Sequence, residues 1–201
     1  MTDDDLNRIN AILNYWFADR QFDDQRIAFW FSGTSETDGI IREKFSADLE
    51  RARRGELTGW QASPRGWLAL IVLLDQFSRN IYRNTPQAFA HDSLAQRLTL
   101  EGIAEGIDRQ LQPIERVFFY LPLEHAEDRA LQARSVAVFE QLLDELSVEE
   151  KPRYQGFLDY AIRHREVIDR FGRFPDLNPI LGRQTTPEEA EFLKQPGSSF
   201  L

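Results

Sequence analysis

The 201-residue chain has no cysteine and only three histidines. The missing thiols exclude disulfides, thiolate nucleophiles and zinc or iron–sulfur centres held by cysteine. The histidines are His91, His125 and His164, and none of them forms a His-x-x-x-His or Glu-x-x-His pair that could begin a metal site. We therefore expect no metal and no other cofactor.

Long apolar runs are also absent. No stretch approaches the roughly 20 apolar residues that a membrane helix requires. The first five residues, Met1 to Asp5, are acidic where a signal peptide would be basic and then apolar. The sequence therefore predicts a cytoplasmic protein without a membrane partner.

Basic charge is scarce, and lysine is the scarcer part of it. The chain has 24 basic and 33 acidic residues, a net charge of −9, which argues against a nucleic-acid partner. Only three basic residues are lysines, so the other 21 are arginines. Because arginine pairs with carboxylates in a planar, bidentate way and is less costly to desolvate than lysine, we expect some buried ion pairs. The motifs Gly-x-Gly-x-x-Gly, Walker A and Gly-x-Ser-x-Gly are all missing.

Apolar residues recur at helical spacing along most of the chain, and no useful stretch alternates as a strand does. The pattern predicts an all-α fold of about eight helices in a single domain, 1–201, with a loose tail from about residue 196. The predicted helices run approximately over Leu6–Phe17, Phe22–Phe31, Glu36–Arg54, Ser63–Leu74, Pro86–Gly106, Ile114–Leu121, Leu123–Leu146, Glu149–Phe171 and Thr186–Lys194.

One predicted helix stands apart because it is apolar on all sides. Ser63 is a typical N-cap, and Pro64 suits the first helical position. The residues from Trp67 to Leu74 then leave no polar face, which predicts a central, buried helix.

Charged residues follow this apolar run on one face. Asp75 and Arg79 are four residues apart, and Tyr82 and Arg83 continue the same strip. Two interpretations are open. The strip could form a buried ion pair that locks neighbouring helices together, or it could line a cleft that presents Arg79, with Arg83, to an anionic ligand.

Two of the histidines are candidate site residues. His125 follows Pro122 at a predicted helix start, where the helix dipole disfavours protonation and a neutral imidazole could serve as acceptor or general base. His164 falls on the apolar stripe of the last long helix, a position more typical of a core histidine with a satisfied hydrogen bond. His91 is expected at the surface.

Three separate segments in order carry a resemblance to a known family. They are Trp67-Leu68-Ala69-Leu70-Ile71 with Asp75-Gln76-Phe77-Ser78-Arg79-Asn80-Ile81-Tyr82-Arg83; Tyr120-Leu121-Pro122-Leu123-Glu124-His125 with Glu127, Asp128 and Gln132; and Phe171-Gly172-Arg173-Phe174-Pro175 with Asn178, Leu181-Gly182-Arg183 and Glu189. On these motifs the chain resembles an uncharacterised, mostly bacterial family, number nine-two-four among the domains of unknown function.

The resemblance covers nearly the whole chain. It implies a tetratricopeptide-like stack of antiparallel helices, and it implies no established activity. One departure is that Asp176-Leu177-Asn178 stands where the family tends towards His-Arg-Asn. A basic residue is thus missing from that loop, which weakens any role for it in binding an anion.

Three functional hypotheses remain. The first is a tetratricopeptide-like binding module for a peptide or protein partner, because helix-pair stacks form concave grooves. The second is a small-molecule-binding protein or enzyme with a polar pocket around Asp75, Arg79 and His125, suited to a small anionic ligand. The third is that the polar cluster is purely structural. The full set of candidate pocket residues is Asp75, Arg79, Tyr82, Arg83, Glu124, His125, His164 and Arg173.

Overall fold

The computed structural model describes residues 1–18 and 22–200. No strand occurs among these residues, so the predicted all-helical fold class is confirmed. The tetratricopeptide-like arrangement and the single domain stay predictions. The α-helices are α1 Asp3–Phe17, α2 Asp24–Phe31, α3 Ser35–Arg53, α4 Pro64–Ile71, α5 Ser78–Ile81, α6 Asp92–Ala104, α7 Pro113–Glu124, α8 Arg129–Glu145, α9 Lys151–Phe171 and α10 Pro187–Phe192.

None of the described helices is long and apolar enough to cross a membrane.

Local capping signals explain most helix starts. The Thr34 side chain caps α3 and the Ser63 side chain caps α4, each accepting from a backbone N–H three residues on. Thr186 caps α10 in a reciprocal capping box with Glu189. The starts at Ser63 and Thr186 were predicted and are confirmed, since each signal lies within four consecutive residues.

One compact unit consists of the described residues within Met1–Arg83 and Gln87–Pro122. The chain continues from α4 into a π-helical segment, Val72–Phe77, and then into α5. Every residue of the π-helical segment is buried, which confirms the prediction of a central, buried helix. The wider winding of a π-helix was not predicted, and such turns occur frequently at functional sites.

The second compact unit consists of the described residues within Asn84–Pro86 and Leu123–Leu201. Its helices α8 and α9 pack against each other. Val167 and Ile168 of α9 form a small core with Phe174. The partly buried rings of Phe192 and Phe200 pack against this core, so residues close to the C-terminal end of the described chain contribute to its packing.

Two predicted helix boundaries are wrong. The prediction that Pro122 separates two helices fails, because α7 continues through Pro122 to Glu124. Proline removes one backbone hydrogen bond, but most side chains of α7 are buried, and this burial offsets the local cost. The prediction of a helix from Pro86 fails as well, since Pro86–Phe89 is a 3-10 turn and α6 begins at Asp92.

The first error changes the environment of His125. Because α8 begins only at Arg129, His125 lies just beyond the C-terminal end of α7 and not at a helix start. The electrostatic reason for a neutral His125 therefore does not apply, since the positive end of a helix dipole is its N-terminus.

Candidate functional site

Arg79 lies between two carboxylates in the first unit. Its Nη1 donates to Asp92 Oδ1 at 2.9 Å, and its Nη2 donates to Asp92 Oδ2 at 2.9 Å. Nη1 also lies 3.1 Å from Oδ1 of Asp75, whose side chain is completely buried. The guanidinium carbon sits 5.4 Å from the centroid of the Phe89 ring. Arg79 is thus held by an ion-pair network that joins the π-helical segment to α6.

Opposing effects act on the pKa of Arg79. Burial works to lower this pKa, but the charges of Asp75 and Asp92 raise it above its ordinary value. The guanidinium is therefore charged at every relevant pH, and its charge is compensated within the protein. This geometry favours the ion-pair interpretation of the strip over an anion-binding cleft.

The other two residues of the strip reach different partners on α3. Arg83 pairs with Asp38 through Nε at 2.5 Å and Nη2 at 2.8 Å, and Asn80 donates to the same carboxylate at 2.8 Å. The Tyr82 hydroxyl lies 3.3 Å from Glu50 Oε1. The strip therefore supplies partners to three separate carboxylates and does not converge on one point.

In the second unit, three of the predicted site residues do come together. Nδ1 of His164 lies 3.2 Å from Oε1 of Glu124, and both side chains are about 95% buried. The His125 ring centroid is 6.4 Å from that of His164. Nδ1 of His164 also faces the carbonyl oxygen of Tyr160 at 2.8 Å. Because both neighbours of Nδ1 are acceptors, we assign the proton of neutral His164 to Nδ1.

The face of His164 is covered by aromatic rings. The Phe200 ring stacks on it with centroids 3.7 Å apart and an interplanar angle of 27°. Phe174 meets His164 edge-on at 5.5 Å. A buried imidazole paired with a carboxylate thus serves as the platform for an aromatic side chain.

Polar contacts hold the four residues that end with Phe200, which we call the tail segment, Gly197–Phe200. Arg163 Nη2 donates to the carbonyl oxygen of Gly197. The Ser198 hydroxyl donates to the carbonyl oxygen of Leu193 at 3.1 Å. The sequence analysis expected a loose tail from about residue 196, whereas these residues are bonded through both main-chain and side-chain atoms.

The far end of the tail segment is anchored by Asp176. Oδ2 of Asp176 accepts from the Phe200 backbone N–H at 2.8 Å and from the Ser199 hydroxyl at 3.1 Å. We call the surface formed by these partners of the tail segment the tail groove. It comprises Arg163, His164, Phe174, Asp176 and Leu193.

A cavity of about 270 Å³ adjoins the tail segment. Its apolar wall is formed by Val167, Phe171 and Phe192, and Phe200 borders it as well. The Phe171 and Phe192 rings lie 5.0 Å apart, and the Arg170 guanidinium carbon sits 4.6 Å from the Phe171 centroid. There is room beside the tail groove for one further apolar side chain.

The last predicted site residue, Arg173, has a structural partner. Its Nε and Nη2 bond the two carboxylate oxygens of Glu189 at 2.7 and 2.9 Å. Arg173 lowers the pKa of Glu189 to about 2, with help from the backbone N–H of Thr186. Arg173 thus supports the capping box of α10.

Phe200, Asp176 and Arg163 were not predicted as site residues. Asp176 was noted only as a departure from the family pattern. The available signal was weak, because an aromatic residue after Gly197-Ser198-Ser199 belongs to no periodic pattern. In the part of the chain that the structure describes, no group of three or more His, Asp or Glu side chains is arranged to hold a metal ion.

Comparisons with known proteins agree with the motifs. The family model described as a bacterial protein of unknown function, DUF924, matches residues 12–197. A solved structure of a protein of unknown function, ATU0120 from Agrobacterium tumefaciens, is 35% identical with a TM-score of 0.80, and the match covers 94% of this chain and 98% of that one. A search among curated proteins gave no match. The chain therefore belongs to the DUF924 family of bacterial proteins of unknown function.

Proposed function

We propose that this protein is a helical binding module for a peptide or protein partner, and that the tail groove is its binding surface. The observation that carries the proposal is the way in which the tail segment is held. Its backbone is bonded at the Gly197 carbonyl and at the Phe200 N–H, while the Phe200 side chain stacks on His164. A short segment bound through its main chain and one aromatic anchor is the usual pattern of peptide recognition.

The aromatic platform can supply much of the binding free energy. Full burial of a phenylalanine side chain contributes about 1.5–3 kcal/mol before the entropic cost of association is subtracted. The adjoining cavity could take a second apolar side chain of the partner, as its wall of Val167, Phe171 and Phe192 is apolar.

In this proposal the tail segment is an internal competitor. It occupies the groove at high effective concentration, so a partner must displace it, at least at Phe200. Truncating the Phe200 side chain should therefore remove the competing ring from His164 while leaving the walls of the groove in place.

The experiment measures binding of a labelled peptide to the full chain with Phe200→Ala. The probe is Gln-Pro-Gly-Ser-Ser-Phe with an N-terminal fluorescein and a C-terminal amide, followed by fluorescence anisotropy. The matched peptide ends in Ala instead of Phe. We expect the Phe peptide to bind at least about tenfold more tightly than the Ala peptide, a difference of about 1.4 kcal/mol.

Two further proteins complete the test. Wild type should bind the Phe peptide more weakly than Phe200→Ala does, because its own ring competes. Val148→Ala removes a side chain that is 79% exposed in the same unit, and it should behave as wild type. Equal binding of the Phe and Ala peptides to Phe200→Ala, or no binding of either at about 1 mM, would contradict the proposal.

The enzyme hypothesis has one observation in its favour. A carboxylate beside Nδ1 of His164 leaves Nε2 as an acceptor, which is the arrangement of a general base. However, Phe200 covers the imidazole face, so binding is the function that the geometry favours. Ester hydrolysis that appears in Phe200→Ala and disappears in Phe200→Ala with His164→Gln would favour an enzyme instead.

A further inference from the structure

Asp176 has a buried carboxylate, of which one oxygen accepts hydrogen bonds and the other accepts none. The residue is 9% exposed and lies in the 3-10 turn Pro175–Leu177. Its Oδ2 accepts two hydrogen bonds, from Ser199 and from the Phe200 N–H. Its Oδ1 is buried and has no hydrogen-bond partner among the described residues.

Asp176 has no positively charged partner in the part of the chain that the structure describes. Within residues 1–18 and 22–200, no Lys, Arg or His nitrogen pairs with this carboxylate. Arg163, which contacts the tail segment, bonds the Gly197 carbonyl and lies over the Phe200 ring instead. Buried carboxylates are ordinarily paired or fully hydrogen-bonded, because an uncompensated buried charge is costly. Oδ1 therefore lacks a donor, and the carboxylate lacks a positive partner among the described residues.

One of the two donors on Oδ2 indicates which group could supply both the missing donor and the positive charge. It is the backbone N–H of an aromatic residue, Phe200, at 2.8 Å from Oδ2. A backbone amide has one N–H and no charge, whereas a free α-ammonium group has three N–H donors and a positive charge. An ammonium at the same place could keep the bond to Oδ2 and direct a second donor at Oδ1, both as charge-assisted bonds.

We propose that the tail groove recognises the free α-ammonium group of an aromatic residue, such as the N-terminal residue of a peptide. Asp176 pairs with the ammonium, and the aromatic ring takes the place of Phe200 on His164. Arg163 adds a cation–π contact to the ring, as it does with Phe200 at 5.7 Å. This inference rests on the proposed function and specifies the chemical class of its ligand.

The test compares two peptides that differ only at the amine. The full chain with Phe200→Ala is titrated at about pH 6 with Phe-Ala-Ala-amide and with its N-acetylated form, by isothermal calorimetry. At this pH an α-amino group, with an ordinary pKa of about 8, is charged. We expect the free amine to bind at least about tenfold more tightly, because hydrogen bonds to charged groups are the stronger class.

Two controls connect this preference to Asp176. Adding Asp176→Asn should reduce the preference to within about twofold, while adding Asp144→Asn, which makes the same charge change at an exposed position on α8, should preserve it. Raising the pH to about 10 should also abolish the preference, since the amine loses its proton. This pH comparison needs no Asp176 variant, so it decides the matter even if Asp176→Asn fails to fold.

The outcomes separate this inference from the proposed function. Equal binding of the free and acetylated peptides, with weaker binding of an Ala-Ala-Ala-amide control, would overturn the ammonium site and leave the peptide groove intact. Failure of every aromatic peptide would overturn both. Phenylalaninamide, as a further probe, identifies the source of the amine. If it binds as tightly as the tripeptide, the ligand is a small aromatic amine, and weaker binding assigns the site to a peptide N-terminus.

Discussion

Replacing Arg79 with alanine tests whether the charged strip stabilises the fold as a buried ion pair, which we call the structural lock. The substitution removes the guanidinium that pairs with Asp75, whose side chain has no solvent exposure. Removing one partner of a buried pair typically costs about 3–5 kcal/mol. For a chain of this size, that loss corresponds to a decrease of about 6–20 °C in melting temperature.

Tryptophan fluorescence during urea unfolding is the suitable assay. All four tryptophans belong to the unit that contains Arg79, so their emission reports on that unit: Trp16, Trp30, Trp60 and Trp67. The matched control is Arg97→Ala, which removes a guanidinium that is 65% exposed and 3.7 Å from Glu101. We expect the control to lose less than about 1 kcal/mol.

A double variant separates charge from packing. Asp75→Asn with Arg79→Met removes both buried charges at nearly constant volume, so it should be more stable than Arg79→Ala alone. A loss below about 1 kcal/mol in Arg79→Ala would refute the structural lock. Such a result would favour the alternative in which the strip is maintained for a ligand.

Two further predictions concern the second unit. Arg173 lowers the pKa of Glu189 to about 2 in the folded protein, whereas the pKa in the unfolded chain is about 4.3. The charged form of Glu189 therefore contributes its full stabilisation above about pH 4.3, and this contribution is lost as the pH falls towards 2. Denaturant unfolding followed by circular dichroism should show a larger loss of unfolding free energy between pH 5 and 2 in wild type than in Glu189→Gln. The control Glu188→Gln, at an exposed position, should behave as wild type. Equal losses in wild type and Glu189→Gln would contradict this prediction. Gly172→Ala should lower stability by about 1 kcal/mol, since Gly172 has φ +71° at the end of α9. In contrast, Gly156→Ala should raise stability by about 0.5–1 kcal/mol, because Gly156 lies within α9 and the new methyl group meets open space. Changes in the free energy of unfolding with the same sign in both variants would refute this reasoning.

Helix starts and stops could be predicted where the signal is local. Ser63 and Thr186 cap helices through bonds that span three residues, and Gly172 ends α9 with a positive φ. The boundary at Pro122 could not be predicted, because burial of α7 against its neighbours outweighs the local cost of the proline. That single boundary changed the electrostatic environment assigned to His125.

The partners of charged residues were predictable only in part. The four-residue spacing indicated that Asp75 and Arg79 would meet, and they do. The stronger, two-point partner of Arg79 is Asp92, which lies on α6. No spacing rule relates Arg79 to Asp92, since only the packing of α6 against the π-helical segment brings them together.

The sequence by itself determined the helical class, the buried central helix, the family and the absence of thiol chemistry. Each of these follows from composition or from contacts within a few residues of the chain. Only the tertiary structure decided which charges compensate one another, and that Phe200 lies on His164 while Asp176 retains an unsatisfied oxygen. The physical reason is that such contacts join residues distant in sequence, whose meeting depends on the packing of whole helices and not on local conformational preference.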